Sequence, residues 1–166
     1  YITNFKTMII EEYINYQNKY VTAFGNKTIV LMEVGGFFEY YYIDNELTGE
    51  KWNCEIIREV SEVLDSICGL KKTKRPHYMG GFPNHSIHKH LSKLLNAGFT
   101  VVTVEQKNHG EKNPDRYVSG IHSPGTNIEY NVNYESNYLC CICFEEYCIA
   151  KVNKVAYSVG VAFTDL

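Results

Sequence analysis

Two strand-like runs joined by a glycine pair constrain the fold of this chain more than any other feature of its sequence. Residues 28–34 are apolar and rich in β-branched side chains, and residues 37–43 are almost entirely aromatic. Gly35 and Gly36 separate the two runs, and glycine tolerates the positive φ that a tight hairpin turn requires. The sequence therefore predicts an antiparallel hairpin that turns at these two glycines.

The second run carries aromatic side chains on both faces of the predicted strand. Side chains two residues apart on a strand project from the same face, so Glu39 shares a face with Phe37. We expect Phe38, Tyr40 and Tyr42, on the opposite face, to belong to the core. Residue types alone also allow Phe37 to be an ordinary core residue of the hairpin and Glu39 to be an exposed strand residue.

Three segments have apolar residues at the spacing of an amphipathic helix. The first extends from residue 4 to about 20, the second carries an apolar stripe over residues 56–67, and the third extends over about 86–97. Gly69 and Gly98 follow the second and third segments, where helix C-terminal caps belong. Because these helices alternate with strands, the sequence predicts the α/β class, with a mixed β-sheet packed by about three helices.

Further strands are predicted along the rest of the chain, at residues 78–83, 99–104, 117–121, about 138–145 and 155–164. A turn-rich segment that begins at Ser123 and continues through polar residues to Asn137 is typical of a linker. The sequence thus predicts one domain over residues 1–122, a linker over 123–137 and the beginning of a second domain over 138–166. Because the chain starts at Tyr1 and stops within a predicted strand, we expect a fragment of a longer protein.

The overall charge gives little support to non-specific binding of nucleic acid, since the net charge is −3 and the pI about 6.1. One basic run, residues 71–75, offers a local positive patch, although such a run is also typical of a solvated loop. No apolar run approaches the roughly 18 residues of a membrane span, and no secretory signal occurs. We therefore expect an intracellular protein with no membrane partner.

Neither the cysteines nor the histidines form a recognisable metal motif. Four of the six cysteines lie between residues 140 and 148, inside a predicted strand and without paired Cys-x-x-Cys spacing, so we expect buried thiols rather than a zinc site. His85 and His88 align poorly with His90 on the third helix. We predict no metal ligands and no catalytic residues in this chain.

Five short blocks follow one another in a fixed order. They are Gly35-Gly36-Phe37-Phe38-Glu39, Thr73-Lys74-Arg75, Met79-Gly80-Gly81-Phe82-Pro83-Asn84-His85, the Leu91-Ser92-Lys93-Leu94 helix leading to a strand that ends in Glu105-Gln106, and Ser123-Pro124-Gly125-Thr126. Together they resemble the N-terminal domain of the MutS family of mismatch repair proteins. Each block alone is weak, but their shared order and spacing, over about residues 8–166, are specific.

The resemblance implies a mismatch-recognition domain that approaches DNA from the minor groove, followed by the first strands of a ribonuclease-H-like connector domain. In the family, the Phe of the Phe-x-Glu pair stacks on a mispaired or unpaired base and the Glu hydrogen-bonds to it, roles that fall on Phe37 and Glu39 here. Phe38 stands where the family usually has Tyr, and Gly36 where bacterial members often have Asp. Neither departure removes the reading pair, Phe37 and Glu39.

The same resemblance suggests contacts with the DNA backbone. It assigns Lys74 and Arg75 to phosphates, and it places Met79 and Gly80 near the minor-groove backbone, where a small residue allows close approach. The implied partners are double-stranded DNA with mismatches or small loops and a second subunit in a homodimer or heterodimer. ATP and Mg²⁺ would bind an ATPase domain outside these residues, because no Gly-x-x-x-x-Gly-Lys-[Ser/Thr] loop occurs here.

Two alternative functions remain at this stage. Some MutS relatives bind DNA junctions or recombination intermediates without the Phe-x-Glu pair, and the presence of that pair disfavours this alternative. A metal-dependent nuclease needs clustered carboxylates. The close acidic pairs near predicted strands, Asp44 with Glu46 and Glu145 with Glu146, belong to no recognisable motif.

Overall fold

The computed structural model describes residues 2–108, 110, 114–126, 138–149 and 154–165, and it divides the chain into two compact units, Tyr1–Tyr130 and Asn131–Leu166. The described part of the first unit contains helices and strands in the order α1 (Ile2–Phe24), β1 (Thr28–Val34), β2 (Phe37–Asn45), β3 (Glu50–Trp52), α2 (Cys54–Leu64), β4 (Gly69–Lys71), β5 (His77–Pro83), α3 (Ile87–Asn96), β6 (Thr100–Gln106) and β7 (Arg116–His122). Short 3₁₀ turns span Asn84–Ser86 and Pro124–Thr126. Among the described helices, none has the length and apolar character needed to cross a membrane.

The strands of the first unit form one mixed sheet in the order β4-β5-β2-β1-β6-β7, and β3 pairs with β2 beside this path. The β1–β6 pair is parallel and the other pairs are antiparallel. Helix α1 packs on one face of the sheet, where Tyr13 meets Tyr41, whereas α2 and α3 lie on the other face, where His90 stacks on Phe82. The predicted α/β class with a mixed sheet and three helices is confirmed.

The predicted hairpin is also confirmed. Val34 pairs with Phe37 across the turn, which leaves Gly35 and Gly36 as a two-residue loop. Gly35 has φ +61°, while Gly36 is not in the positive-φ region, as in a type II′ turn. The backbone conformation therefore requires glycine at the first position of the turn, Gly35.

Helix α1 replaces a strand partner along part of β1. Strand β2 pairs with β1 only at Met32–Val34, so the backbone groups of the first half of β1 need other partners on that side. Buried Gln17 donates to the carbonyl of Thr28 at 2.8 Å and accepts from the N–H of Val30 at 2.8 Å, and the Tyr13 hydroxyl donates to the carbonyl of Val30 at 3.0 Å. These bonds fix α1 on the sheet.

The aromatic strand β2 is buried on both faces. Phe38 and Tyr40 are buried as predicted, and Tyr42 is only half-buried. Tyr41 is also buried although it shares a face with Phe37, because the ring of Tyr13 packs against it at a centroid distance of 4.9 Å. The core therefore extends to the Phe37 face of β2 wherever α1 covers it.

Helix α2 ends earlier than the sequence predicts. It stops at Leu64, and Asp65 takes the left-handed conformation (φ 51°) with the paired backbone hydrogen bonds of a Schellman cap. The prediction that Ile67 continues the buried stripe is wrong, since Ile67 is 96% exposed. Gly69 does not cap the helix but begins β4, because the chain must reverse here to pair with β5.

The second unit is an antiparallel hairpin of β8 (Tyr138–Ile149) and β9 (Lys154–Asp165), longer than the two predicted strands. Its four cysteines are exposed, so the prediction of buried thiols is wrong for this hairpin, which as described has no second layer to cover them. The assignment of this unit to a connector domain and the domain boundaries stay predictions. Most of the predicted linker, residues 127–137, lies outside the described residues.

Candidate nucleic-acid interface

Phe37 is presented at the tip of the β1–β2 hairpin. It is the first residue of β2, it pairs with Val34 on one side and Pro83 on the other, and it is 49% exposed. A residue packed inside the hairpin would be covered. Phe37 is therefore an exposed aromatic side chain on a tightly turned support.

Glu39 lies two positions further along β2, on the same face as Phe37, and is half-buried. Its carboxylate accepts a hydrogen bond from the Tyr41 hydroxyl. Burial and the neighbouring Glu39 charge raise the pKa of Tyr41 well above its ordinary value, so this hydroxyl keeps its proton and acts as the donor. The structure thus gives the Glu39 carboxylate a defined orientation that sequence spacing does not predict.

Two adjacent glycines of β5 have different reasons to be small. A Cβ at Gly80 would lie 2.5 Å from the ring of Tyr40, so Gly80 makes room for a core tyrosine on the face opposite Glu39. A Cβ at Gly81 would lie 2.6 Å from the carbonyl oxygen of Phe38 and 3.3 Å from Glu39 Cγ. Gly81, opposite Glu39 in the register, is therefore the glycine that leaves space beside the carboxylate.

Met79 lies beside Tyr41 in the register, on the Glu39 face, and is half-buried. It lines a largely apolar cavity of about 130 Å³ together with Ile9, Val34, Glu39, Tyr41, Lys71 and His77. Met79 therefore supports the sheet next to Glu39.

The two cations of the Thr-Lys-Arg block differ in their surroundings. Lys74 is exposed in the connection between β4 and β5. Arg75 is 30% exposed and forms ion pairs with Glu11 of α1 and Glu50 of β3. Its hydrogen bond to Glu50, reinforced by Glu11, raises the pKa of the guanidinium. Arg75 thus joins two elements of the fold, a role that its place in a basic run does not indicate.

A buried carboxylate beneath the hairpin tip was not predicted. Glu33 of β1 is 5% exposed, and it accepts hydrogen bonds from Asn84 Nδ2 at 2.6 Å and from the backbone N–H of Gln106 at 2.8 Å. A single acidic residue within the apolar run of residues 28–34 is the sequence signal for this network. Its partners are 51 and 73 residues away and could not be named from sequence.

The histidines of the Asn84–Ser86 turn and of helix α3 have different surroundings. His85 and His88 are exposed, whereas His90 is half-buried and stacks on Phe82, and burial together with Lys93 and Lys89 lowers its pKa. Within the residues that the structure describes, no group of three His, Cys, Asp or Glu side chains is arranged to hold a metal ion.

The fold and the site define a mixed α/β domain that presents an aromatic side chain and a carboxylate from one hairpin. The family model described as MutS domain I matches residues 9–131 of the chain. The chain therefore belongs to the MutS family.

Relatives from different sources agree with this assignment. A putative DNA mismatch repair protein mutS homolog of Acanthamoeba polyphaga mimivirus is 30% identical over 98% of this chain. The DNA mismatch repair protein MutS of Petrotoga mobilis is 26% identical over 96%, and the mitochondrial mutS homolog of Sarcophyton glaucum is 27% identical over 71%. The chain spans only 14%, 17% and 14% of the lengths of these three relatives.

Proposed function

We propose that this chain acts in DNA mismatch repair by recognising mispaired or unpaired bases in double-stranded DNA. The observation that carries the proposal is Phe37, half-exposed at a two-residue turn with Glu39 on the same face. Membership of the MutS family, whose relatives bear mismatch repair names, supports it.

Phe37 is proposed as a wedge between base steps. Unstacking a step costs a few kcal/mol, part of which is recovered through new contacts on the bent duplex. A mismatch is already poorly paired and more deformable, so the same wedge costs less there. The flat face of phenylalanine stacks on any base, which suits a reader of deformability rather than of sequence.

Glu39 is proposed to provide a second means of distinguishing mismatched from matched DNA. A carboxylate near phosphates opposes binding to intact duplex, whereas a displaced base that offers a donor forms a charge-assisted hydrogen bond with it. We infer that Glu39 discriminates mainly by weakening binding to matched DNA. Equal losses of affinity for matched and mismatched duplexes in Glu39→Gln would contradict this.

Backbone contacts are proposed to supply affinity without selectivity. Lys74 is proposed to contact a phosphate, while Arg75 would approach DNA only alongside its ion pairs with Glu11 and Glu50. Met79 and Gly80 are proposed to support the strand beside Glu39 as it nears the minor groove. With a net charge of −3, the chain alone would bind DNA weakly.

The remaining activities are proposed for a longer protein of the relatives' size. There a second subunit, in a homodimer or heterodimer, would complete the grip on DNA, and an ATPase domain would bind ATP and Mg²⁺. No step proposed for this chain passes through ATP, because its sequence has no phosphate-cradling glycine loop.

The test is fluorescence-anisotropy binding of the full-length protein to matched, G·T and single-base-bulge duplexes, with and without Phe37→Ala. We expect the preference for the G·T and single-base-bulge duplexes over the matched duplex to fall about 5- to 150-fold, the range that corresponds to one lost base stack. Phe24→Ala is the matched control, since Phe24 is also about half exposed (47%) but ends α1, outside the hairpin.

The alternative outcome favours another function. If wild-type protein binds matched and mismatched duplexes equally, and Phe37→Ala changes nothing, mismatch reading is excluded. Binding to a four-way junction, measured in the same assay, would then identify the chain with the junction-binding relatives.

A further inference from the structure

We propose that Asn84, held by the buried carboxylate of Glu33, is the positioning residue that fixes the Phe37 hairpin tip. The inference rests on the proposed wedge role of Phe37. It concerns a residue outside the reading pair, which would act through Phe37 without needing to touch DNA.

The tip needs an external support because its loop consists of two glycines. Glycine is the most conformationally free residue, and a wedge on a mobile loop would lose that freedom on each insertion. Asn84 binds both loop carbonyls: its backbone N–H donates to Gly36 at 3.0 Å, and its Nδ2 donates to Gly35 at 3.4 Å. One residue thus holds the whole turn.

The orientation of the Asn84 amide follows from its partners. Nδ2 lies 2.6 Å from Glu33 Oε1 and 3.4 Å from the Gly35 carbonyl oxygen. A carboxylate and a carbonyl only accept hydrogen bonds, so the nitrogen and not the oxygen of the amide must face them. The bond to Glu33 is charge-assisted, which makes it the strongest contact of this side chain.

Glu33 connects the tip to strand β6. Its second oxygen, Oε2, accepts the backbone N–H of Gln106 on β6 at 2.8 Å. The contacts therefore run from β6 through Glu33 and Asn84 to the two glycines that precede Phe37. Gln106 is the last residue of β6 and pairs there with Arg116 of β7, so the anchor belongs to the backbone of the sheet.

Burying a carboxylate at this position is costly in stability. The four residues before Glu33, Ile29–Met32, are apolar and fully buried, so an apolar residue would suit a purely structural strand. In some proteins a buried charge held by hydrogen bonds specifies one conformation, and each carboxylate oxygen of Glu33 accepts one such bond. The conformation specified here is that of the Phe37 turn.

The experiment is a double-mutant cycle in the full-length protein, measured as the ratio of affinities for G·T and matched duplexes. We expect Asn84→Ala to lower this ratio about 3- to 10-fold, as the loss of one or two hydrogen bonds predicts. If Asn84 acts through Phe37, the double variant should discriminate no worse than Phe37→Ala alone. Independent losses that multiply would overturn the proposal.

Asn96→Ala supplies the matched control, because Asn96 is an exposed asparagine at the end of α3. It should leave the ratio unchanged. An equal loss in Asn96→Ala would show that the assay responds to general destabilisation and would remove the support for Asn84.

Hydrogen exchange distinguishes the proposed role of Asn84 in fixing the hairpin tip, here called the clamp, from the proposed role of Phe37 as a wedge. In Asn84→Ala we expect faster amide exchange confined to Val34 and Phe37, the pair that closes the turn, with the other amides of β1 and β2 still protected. Unchanged exchange at the tip would refute the clamp even if Phe37 reads mismatches. If Phe37→Ala still discriminates between the duplexes while the hairpin tip of Asn84→Ala exchanges faster, the wedge role of Phe37 is refuted. The role of Asn84 in fixing the tip is then still supported.

Discussion

At the scale of single residues, Tyr41 determines how Glu39 is presented. The hydroxyl belongs to a buried side chain whose ring is held by Tyr13, so the donor cannot move far from the carboxylate. A carboxylate has two oxygens and about four acceptor positions. The bond from Tyr41 therefore helps to orient the Glu39 carboxylate.

We predict that Tyr41→Phe lowers the preference for G·T over matched DNA by about 3- to 10-fold, since one hydrogen bond to Glu39, the proposed reading carboxylate, is lost while the ring is retained. Anisotropy titrations measure this ratio. Tyr40→Phe is the control, because that hydroxyl bonds Ser66 Oγ at 2.6 Å on the other face of β2. A preference that stays intact in Tyr41→Phe would leave Tyr41 with a core role only.

Strand spacing correctly predicted that Phe37 and Glu39 share a face, because that property is local to one strand. It did not predict the burial of Tyr41, which depends on where α1 docks. Nor did it predict the ion pairs of Arg75, whose partners are 64 and 25 residues away. Residues whose surroundings come from distant elements lie beyond what periodicity can determine.

At the scale of elements, the two cations of the basic block differ in exposure, and Arg75 joins two elements of the fold. Lys74 is exposed, whereas Arg75 joins α1 to β3 through Glu11 and Glu50. We therefore expect Lys74 and Arg75 to differ in their effects on DNA binding and on the free energy of unfolding.

We predict that Arg75→Ala lowers the free energy of unfolding by about 0.5–1 kcal/mol, the usual range for partly exposed ion pairs. Lys74→Ala should weaken binding to matched and mismatched DNA equally, reducing the salt slope by about 1. Urea unfolding and salt titrations test the two variants. An unchanged free energy of unfolding in Arg75→Ala, or an unchanged salt slope in Lys74→Ala, would contradict these two expectations.

The elements that the sequence predicted well are those with long periodic patterns. Helix α3 and strands β1, β5 and β6 lie within one or two residues of expectation. Strands β3 and β4 were missed because three residues carry no period, and they form only because β2 and β5 provide an edge for them. The end of α2 was missed because Asp65, rather than a glycine, adopts the left-handed cap.

At the scale of the whole molecule, the core of the first unit depends on neutral tyrosines. Burial is the main cause that raises the pKa values of Tyr13, Tyr40 and Tyr41 above the ordinary 10.0. For a group whose pKa is raised in the folded state, stability is complete below the unfolded pKa and is lost as the pH rises above it. The contribution of these three side chains to the free energy of unfolding should therefore decrease as the pH rises above 10.0.

We predict that the free energy of unfolding holds between about pH 7 and 9 and falls progressively above about pH 10, where unfolded tyrosine ionises. Urea unfolding over pH 7–11 measures this. In the Tyr13→Phe and Tyr41→Phe double variant the alkaline fall should be shallower, although stability at pH 7 is lower. An identical alkaline fall in this variant would assign the effect to other groups.

From the parallel pairing of β1 with β6 we also infer an order of assembly. Thr28 pairs with Thr100 across a long stretch of chain, whereas Val34 and Phe37 are joined by two residues. Short loops close with less entropic cost than long ones, so the β1–β2 hairpin should form first and the β1–β6 pair later. During synthesis Glu33 would then remain a solvated surface carboxylate until Gln106 has emerged and β6 closes over it.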